Sequence, residues 1–179
     1  MRVKPDVTVR IASPNQSDRT TPVSLIVLHS TESDNREGSG DLQSIAQYFS
    51  TSSAEASSHV IVDDEGHSAR CVPDARKAWT CVSYNSLSLN IEQIGRASQP
   101  KWSEAEYREC ARWIAQWSHE HRIPIRRAIT SGGRVLRSGV TTHKKLGPLG
   151  GGHSDPGPNY SLRHVLKLAR RIKRERYGR

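Results

Sequence analysis

Three potential zinc ligands stand at informative positions in this chain of 179 residues, which contains eight histidines. His29 and His143 each end a predicted strand, and Asp155 follows twelve residues after His143 in the rigid turn Asp-Pro-Gly-Pro. Imidazole nitrogen and carboxylate oxygen both bind zinc, and a catalytic zinc site combines three protein ligands with one water molecule. Zinc lowers the pKa of that water towards ~7. The pattern therefore predicts one Zn²⁺ ion in a hydrolytic site.

Glu92 is a candidate general base, because it interrupts the otherwise apolar segment 89–94. A carboxylate in such a segment costs free energy unless it has a partner or a chemical task. The competing interpretation is a glutamate on a strand edge that faces water, since strand alternation places Asn90 on the same face. The sequence leaves both interpretations open.

Two further residues are candidates for substrate binding. Trp79 offers an aromatic face on which sugars and peptides can stack, and the alternative is that it belongs to the core. His59 begins a predicted strand, where it either lies beside the site or has a purely structural role, which is the commoner role of an isolated histidine.

The strands that must position these residues follow from hydrophobic patterning. A β-branched and aliphatic run at 23–28 predicts a buried strand that ends at His29, and a second inner strand covers 87–94. Residues 59–72 show the pattern of strand, glycine-containing turn and strand, which predicts a hairpin. Residues 124–152 contain seven glycines and two prolines, and are expected to be irregular around one short strand near Val140.

Two helices stand out beside these strands. Residues 103–121 begin with Ser103 and Glu106, which form a capping-box pattern, and a second helix covers about 160–176. Alternating strands and helices predict an α/β fold, with a central mixed β-sheet flanked by helices and ligand sites at the strand ends.

Composition excludes several classes of protein. Hydrophobic residues make up 34% of the chain, mean hydropathy is −0.68, and no stretch approaches the roughly 18 apolar residues of a membrane span. No apolar segment follows the charged start, so a secretory signal is not expected. The length suits one domain covering 1–179. Cys71, Cys81 and Cys110 are too few for a disulfide framework; free thiols are favoured, and a Cys71–Cys81 bridge stays open.

The positive charge is concentrated near the end of the chain. The net charge is +9, and residues 160–179 alone hold eight Lys or Arg and one Glu. A nucleic-acid-binding domain usually spreads its basic residues over a whole face, so a nucleic-acid partner is not expected. The basic helix at 160–176 is instead expected to contact an anionic polymer or an anionic lipid surface.

Six short motifs occur in the same order as in a known family. The chain resembles the zinc-dependent N-acetylmuramoyl-L-alanine amidases of the type 2 amidase and peptidoglycan-recognition superfamily, which includes many phage endolysins. The resemblance covers roughly residues 25–160. Its motifs are residues 26–31, 57–66, 78–79, 85–92, 142–143 and 153–158.

The resemblance implies roles for individual residues. His29, His143 and Asp155 match the zinc ligands, Glu92 matches the carboxylate that activates water, and His153 matches the group that stabilises the oxyanion. Zinc would lie in a shallow surface groove. Many members use cysteine as the third ligand, and many have histidine where this chain has Thr80.

The implied reaction is hydrolysis of the amide bond between N-acetylmuramic acid and the L-alanine of peptidoglycan. We expect a monomeric phage endolysin, made in the host cytoplasm and acting at the cell wall after release. The alternatives are a bacterial peptidoglycan-recycling amidase and a non-catalytic peptidoglycan-binding module on the same scaffold. A nucleic-acid binder that uses the basic tail is a third possibility, and nothing in the preceding residues supports it.

Overall fold

The computed structural model describes residues 3–34 and 40–178, and shows the expected α/β architecture. In that part of the chain the strands are β1 (Val7–Arg10), β2 (Gln16–Asp18), β3 (Leu25–Ser30), β4 (Val60–Val62), β5 (Ser68–Arg70), β6 (Arg76–Ala78), β7 (Ser88–Gln93), β8 (Ile129–Ser131), β9 (Arg134–Arg137) and β10 (Gly139–Thr142). The α-helices are α1 (Gly40–Phe49), α2 (Glu104–Glu120) and α3 (Leu162–Tyr177).

The central sheet is mixed, as the sequence predicts. Six strands lie in the order β1-β5-β4-β7-β3-β10. Strand β3 runs parallel to both of its neighbours, β7 and β10, and β4 runs parallel to β7. The antiparallel pair β4–β5 is the predicted hairpin. The three strands that carry the candidate site are therefore adjacent and point in the same direction.

Side chains alternate between the two faces of the inner strands, so the main hydrophobic core and the candidate site lie on opposite faces of the sheet. Ile26 and Leu28 of β3 pack with side chains of α2 and α3, as do Leu89 and Ile91 of β7. Burying an aliphatic side chain of this size contributes about 1.5–3 kcal/mol. Because successive side chains in a strand point to opposite faces, His29 of β3 lies on the other face together with Asn90 and Glu92 of β7.

The structure differs from the sequence-based expectation in three places. Strand β3 extends through Ser30, so His29 lies within the strand and not after it. The segment expected to be irregular, 124–152, contains the hairpin β8–β9. Strands β1, β2 and β6 were not anticipated, because they are three or four residues long and only partly buried. Helix α3 lies where the basic helix was predicted.

The three cysteines are buried free thiols, so Cys71 and Cys81 do not pair. Burial raises the pKa of each of these two thiols to about 12. Within residues 3–34 and 40–178, the structure contains no helix with the length and apolar character needed to cross a membrane.

Helix α2 begins with one half of the predicted capping box. The Ser103 hydroxyl accepts the backbone N–H of Glu106 at 2.9 Å. Neither carboxylate oxygen of Glu106 has a hydrogen-bond partner of good geometry in the described part of the chain. Burial, followed by the negative charges of Asp64 and Asp63, raises the pKa of Glu106 well above its ordinary value, and the nearby Ser103 backbone offsets only part of this. The folded protein therefore favours the protonated form of Glu106.

This carboxyl should make stability fall as pH rises. Its pKa is higher in the folded than in the unfolded state, so the unfolded chain loses the proton first, above pH ~4.3. We expect Glu106→Gln to melt at a higher temperature than wild type at pH 7 and at the same temperature near pH 4. Thermal denaturation followed by circular dichroism at both pH values measures this.

A matched control is available on the same helix turn. Exposed Glu104 pairs with Arg108 and His164, so Glu104→Gln should not raise the melting temperature at pH 7. A Glu106→Gln protein that melts at or below the wild-type temperature at pH 7 would show that the buried carboxyl does not destabilise the folded state.

Candidate active site

Strand register brings the first candidate residues together at one edge of the sheet. His29 of β3 pairs with Glu92 of β7, and Leu28 pairs with Thr142 of β10. His143, the residue after Thr142, consequently comes level with His29. Open α/β sheets bind ligands at the carboxyl ends of their parallel strands, and this edge has that position.

Asp155 reaches the same edge from a loop. Its Oδ2 accepts the backbone N–H of Ser30 at 3.2 Å, and its carbonyl accepts the backbone N–H of Lys144 at 3.0 Å. Gly157, with φ +88°, passes so close to Ala97 that a Cβ would lie 1.9 Å from the Ala97 carbonyl oxygen. Only glycine permits this approach, which explains the residue between the two prolines of the turn.

The three candidate ligand atoms are close enough to share one ion. The Nδ1 atoms of His29 and His143 lie 2.9 Å apart. The Nδ1 of His143 is 3.1 Å from Asp155 Oδ1, and that of His29 is 3.7 Å from Oδ2. Tetrahedral ligands at the usual zinc distances of roughly 2.0–2.1 Å are about 3.3 Å from one another. The spacing therefore fits a zinc ion.

Hydrogen bonds on the far side of each ring fix which nitrogen faces the site. The Nε2 of His143 is 2.7 Å from the Gly150 carbonyl oxygen, which can only accept, so this nitrogen carries a proton. The Nε2 of His29 is 3.0 Å from Oδ1 of Asn90 and donates in the same way. Neutral rings held like this present two Nδ1 lone pairs to each other and to a carboxylate. A proton or a metal ion among these three groups would remove the repulsion between their lone pairs.

The surroundings keep His29 in the form that binds metal. Burial, followed by the nearby His143, lowers the pKa of His29 to about 3. Neutral imidazole is the ligand form of histidine. For Asp155, burial alone would raise the pKa, but the hydrogen bonds from His143 and from the backbone N–H of Ser30 bring it below its ordinary value. Both residues are therefore set for cation binding at neutral pH.

Glu92 stands beside the candidate ligands and is buried in the centre of the sheet. Because β7 lies between β4 and β3, the interpretation as a water-facing strand-edge residue is wrong. Its Oε1 is 3.9 Å from Nδ1 of His29, and its Oε2 has no hydrogen-bond partner among the described residues. Burial, then the charges of Asp155 and Glu32, raises its pKa well above the ordinary value. A raised pKa makes the ionised form of this carboxyl a stronger base.

A groove of about 480 Å³ opens onto these residues. His153 and Trp79 line it, as predicted for residues that meet a substrate. The His153 ring stacks on His143 with centroids 4.4 Å apart, and 61% of its side chain is exposed. Trp79 is anchored by a hydrogen bond from Nε1 to the Ser17 hydroxyl at 3.0 Å. Tyr48 and Phe49 of α1 add two more aromatic side chains that the sequence did not single out for this role.

The structure does not bring His59 into this groove. His59 is completely buried, its Nδ1 accepts the backbone N–H of Asn90 at 3.1 Å, and its Nε2 is 3.2 Å from the Arg76 carbonyl oxygen. Burial, then the charge of Arg19, lowers its pKa to about 3. Direct contact between His59 and a substrate is incompatible with this position, so His59 has the structural role.

Arg19 supports the site in a way that the sequence did not indicate. Its guanidinium donates to the carbonyl oxygens of Ser86 at 2.6 Å, Arg76 at 2.7 Å and Ser88 at 3.0 Å. These bonds tie together the segment between β6 and β7, which carries Trp79. An isolated arginine in the sequence offers no signal for such a role, because its partners are backbone atoms more than fifty residues away.

Comparison with known protein families gave a match over most of the chain. A family profile described as N-acetylmuramoyl-L-alanine amidase matches residues 19–158. A comparison with curated protein sequences gave no significant match.

Several solved structures share the fold. The Staphylococcus aureus hydrolase AmiA, solved in complex with its ligand, aligns with a TM-score of 0.74 at 17% identity, covering 98% of this chain and 86% of its own. A selenomethionine derivative of AmpD aligns with a TM-score of 0.63 at 19% identity, covering 89% and 93%. The amidase LysC from Clostridium intestinale gives 0.63 at 16% identity, covering 88% and 93%. At these identities the likeness establishes the fold.

The Asn90 contact gives a test of the metal site that does not depend on catalysis. Asn90→Leu keeps the volume of the side chain but removes the acceptor for His29. Loss of such a supporting hydrogen bond typically weakens metal affinity roughly 10- to 100-fold. We expect this weakening for Zn²⁺, measured by competition with a chromophoric chelator.

Exposed Asn159, which donates to the Gln99 carbonyl, provides the control. Asn159→Leu should bind Zn²⁺ like wild type. Melting of the metal-free proteins shows whether Asn90→Leu folds. Unchanged zinc affinity in a folded Asn90→Leu protein would remove Asn90 from the site.

Proposed function

Because the chain belongs to the N-acetylmuramoyl-L-alanine amidase family, we propose that it hydrolyses the bond between N-acetylmuramic acid and L-alanine in peptidoglycan with one bound Zn²⁺. The observation that carries this proposal is the convergence of His29, His143 and Asp155 beside the buried carboxyl of Glu92. When bound, zinc supplies a Lewis acid for the amide carbonyl and lowers the pKa of water.

The chain's own residues divide the remaining work. Glu92 accepts the proton from the attacking water, and its free Oε2 leaves room for that proton. His153 is exposed in the groove and donates an N–H to the oxygen that gains negative charge. Trp79 and the α1 aromatic residues hold the glycopeptide so that its amide lies over the site.

A catalytic role is favoured over a non-catalytic binding module. A module that only binds peptidoglycan has no need of a complete ligand set, a buried carboxylate and a donor arranged around one point. The charged groups here are buried together at a cost that binding a neutral glycopeptide would not offset. Their convergence in one groove supports hydrolysis.

Within this activity we favour a monomeric endolysin over a recycling enzyme. Arg163, Lys167, Arg170 and Arg174 are exposed on α3, and this charge suits an enzyme that must act on a polyanionic wall. A recycling amidase acts on small soluble fragments and gains nothing from it. In this proposal the protein is made in the host cytoplasm and reaches the wall after release.

Digestion of purified peptidoglycan tests the activity. Mass spectrometry of the products should show stem peptides with a free L-alanine amino group and glycan strands without peptide. Chelation should stop the reaction and added Zn²⁺ should restore it. New reducing sugar ends, or cleavage within the peptide, would assign a different hydrolase; full activity in a preparation shown by elemental analysis to be metal-free would exclude zinc.

The proton-accepting role of Glu92 predicts a large loss on its removal. Glu92→Gln preserves shape but cannot take a proton, and such groups contribute roughly 100- to 10,000-fold in rate. We expect turnover to fall within this range while zinc content and melting temperature stay near wild type. Turnover within about threefold of wild type, far below that range, would reassign Glu92 to a structural role.

His153 should affect turnover without affecting the metal. One donor to a developing oxyanion typically contributes about 3–4 kcal/mol, so His153→Ala should lower turnover by roughly 100- to 1,000-fold at unchanged zinc content. Exposed His119 lies on α2, outside the residues that line the groove, and His119→Ala serves as the control. Loss of zinc together with activity in His153→Ala would make His153 a ligand.

A further inference from the structure

A second groove lies beside the segment that carries His143 and Asp155. It has a volume of about 540 Å³, within the range of roughly 300–1,000 Å³ that is typical of ligand sites. Strands β8 and β10 form one wall, and the start of α3 forms the other. Lys144, which follows His143, and Gly157, which follows Asp155 by two residues, both contribute to its lining. The groove is therefore separated from the candidate active site by a single stretch of chain.

The groove is lined by positive charge that nothing nearby neutralises. Arg127, Lys144, Lys145 and Arg163 are exposed around it, and none of the four forms an ion pair within the described part of the chain. No aspartate or glutamate lines it. Residues 121–174 contain thirteen Lys or Arg and one acidic residue, Asp155. Asp155 is buried among the candidate ligands, so it cannot screen this surface.

The remaining lining residues indicate which class of ligand would fit the groove. Thr142 and Ser161 bring hydroxyl groups, while Ile129, Tyr160 and Leu162 bring apolar surface between the cations. This alternation suits a flexible chain in which negative charges are separated by short carbon units. A phosphodiester chain of polyol units has that composition, and lysine and arginine are common partners of phosphate.

We propose that this groove binds the phosphodiester backbone of an anionic cell-wall polymer. The inference rests on the proposed function, which places the enzyme at the wall. The groove and the candidate active site have no lining residue in common, so polymer and peptidoglycan can be bound together. In this proposal the groove binds the polymer by direct contacts, while the positive charge of α3 attracts the polymer at longer range.

The test compares two variants of equal charge. The groove variant carries Arg127→Gln, Lys145→Gln and Arg163→Gln. The control carries Lys167→Gln, Arg171→Gln and Arg174→Gln, which remove the same charge from exposed positions of α3 outside the groove. Binding of poly(glycerol phosphate) to each protein is measured by calorimetry between 50 and 300 mM salt, concentrations chosen around a Debye length of ~8 Å at physiological ionic strength.

At physiological salt we expect the groove variant to lose at least about tenfold in affinity and the control to stay within about twofold, because exposed charges beyond a Debye length are screened. The slope of log affinity against log salt should flatten by roughly 2 in the groove variant, as expected for three lost phosphate contacts. Melting temperatures near wild type show that both variants fold.

Three outcomes would overturn the proposal. Equal losses in both variants would show diffuse attraction without a groove. Absence of polymer binding by the wild-type protein at physiological salt would leave the groove without this ligand. Tighter binding of duplex DNA than of the polymer at the same salt would assign the surface to nucleic acid. Amide release from peptidoglycan, measured on the same wild-type preparation, separates these results from a failure of the proposed activity.

Discussion

Two imidazole nitrogens lie 2.9 Å apart, and the two oxygens of one carboxylate lie 3.1 and 3.7 Å from them, so that a positive charge is required between these groups. The requirement arises because the Nε2 atoms donate their protons elsewhere. That of His143 donates to the Gly150 carbonyl oxygen and that of His29 to Oδ1 of Asn90, so both Nδ1 atoms face the site as lone pairs. The polar face of the sheet is organised around this cation site, and it determines which protonation states its neighbours can have.

The fold meets this requirement with three parallel strands and one loop. β3, β7 and β10 end at the same edge, so two ligands and the carboxyl of Glu92 are positioned by regular backbone hydrogen bonds. The fourth group, Asp155, arrives on a turn that depends on a glycine with no room for a Cβ. The opposite face of these strands packs against α2 and α3. A close-packed core behind the strands limits how far the ligands can move.

The distribution of charge separates two surfaces of the molecule. Glu32, Glu92 and Asp155 line the candidate catalytic groove, whereas every charged residue that lines the second groove is a cation. Carboxylates on one side suit a cation and the handling of protons. Cations on the other suit a polyanion. The two surfaces share a single segment, so neighbouring residues would serve the two activities that we propose, polymer binding and amide hydrolysis.

Much of this arrangement was readable from the sequence by itself. The aliphatic runs of β3 and β7, the β4–β5 hairpin, α2 and α3 all follow from hydrophobic periodicity, because burial of regular elements leaves that pattern. The motifs around His29, Glu92, His143 and Asp155 indicated both the family and the residues that the structure brings together. Short strands such as β2, β6 and β8 left no such pattern, since three residues that are half exposed carry almost no periodic signal.

Only the tertiary structure decided the contacts that depend on strand register and on distant backbone atoms. Alternation placed Asn90 and Glu92 on one face but could not show that Asn90 meets His29 or that β7 lies in the middle of the sheet. It could not show that His59 is enclosed, that Arg19 donates to carbonyl oxygens of distant segments, or that the Glu106 carboxyl has no hydrogen-bond partner among the described residues. Nor could it show that cations scattered from 127 to 163 line one groove. These facts depend on which segments meet across the fold, and hydrophobic patterning reports only how each segment faces the core.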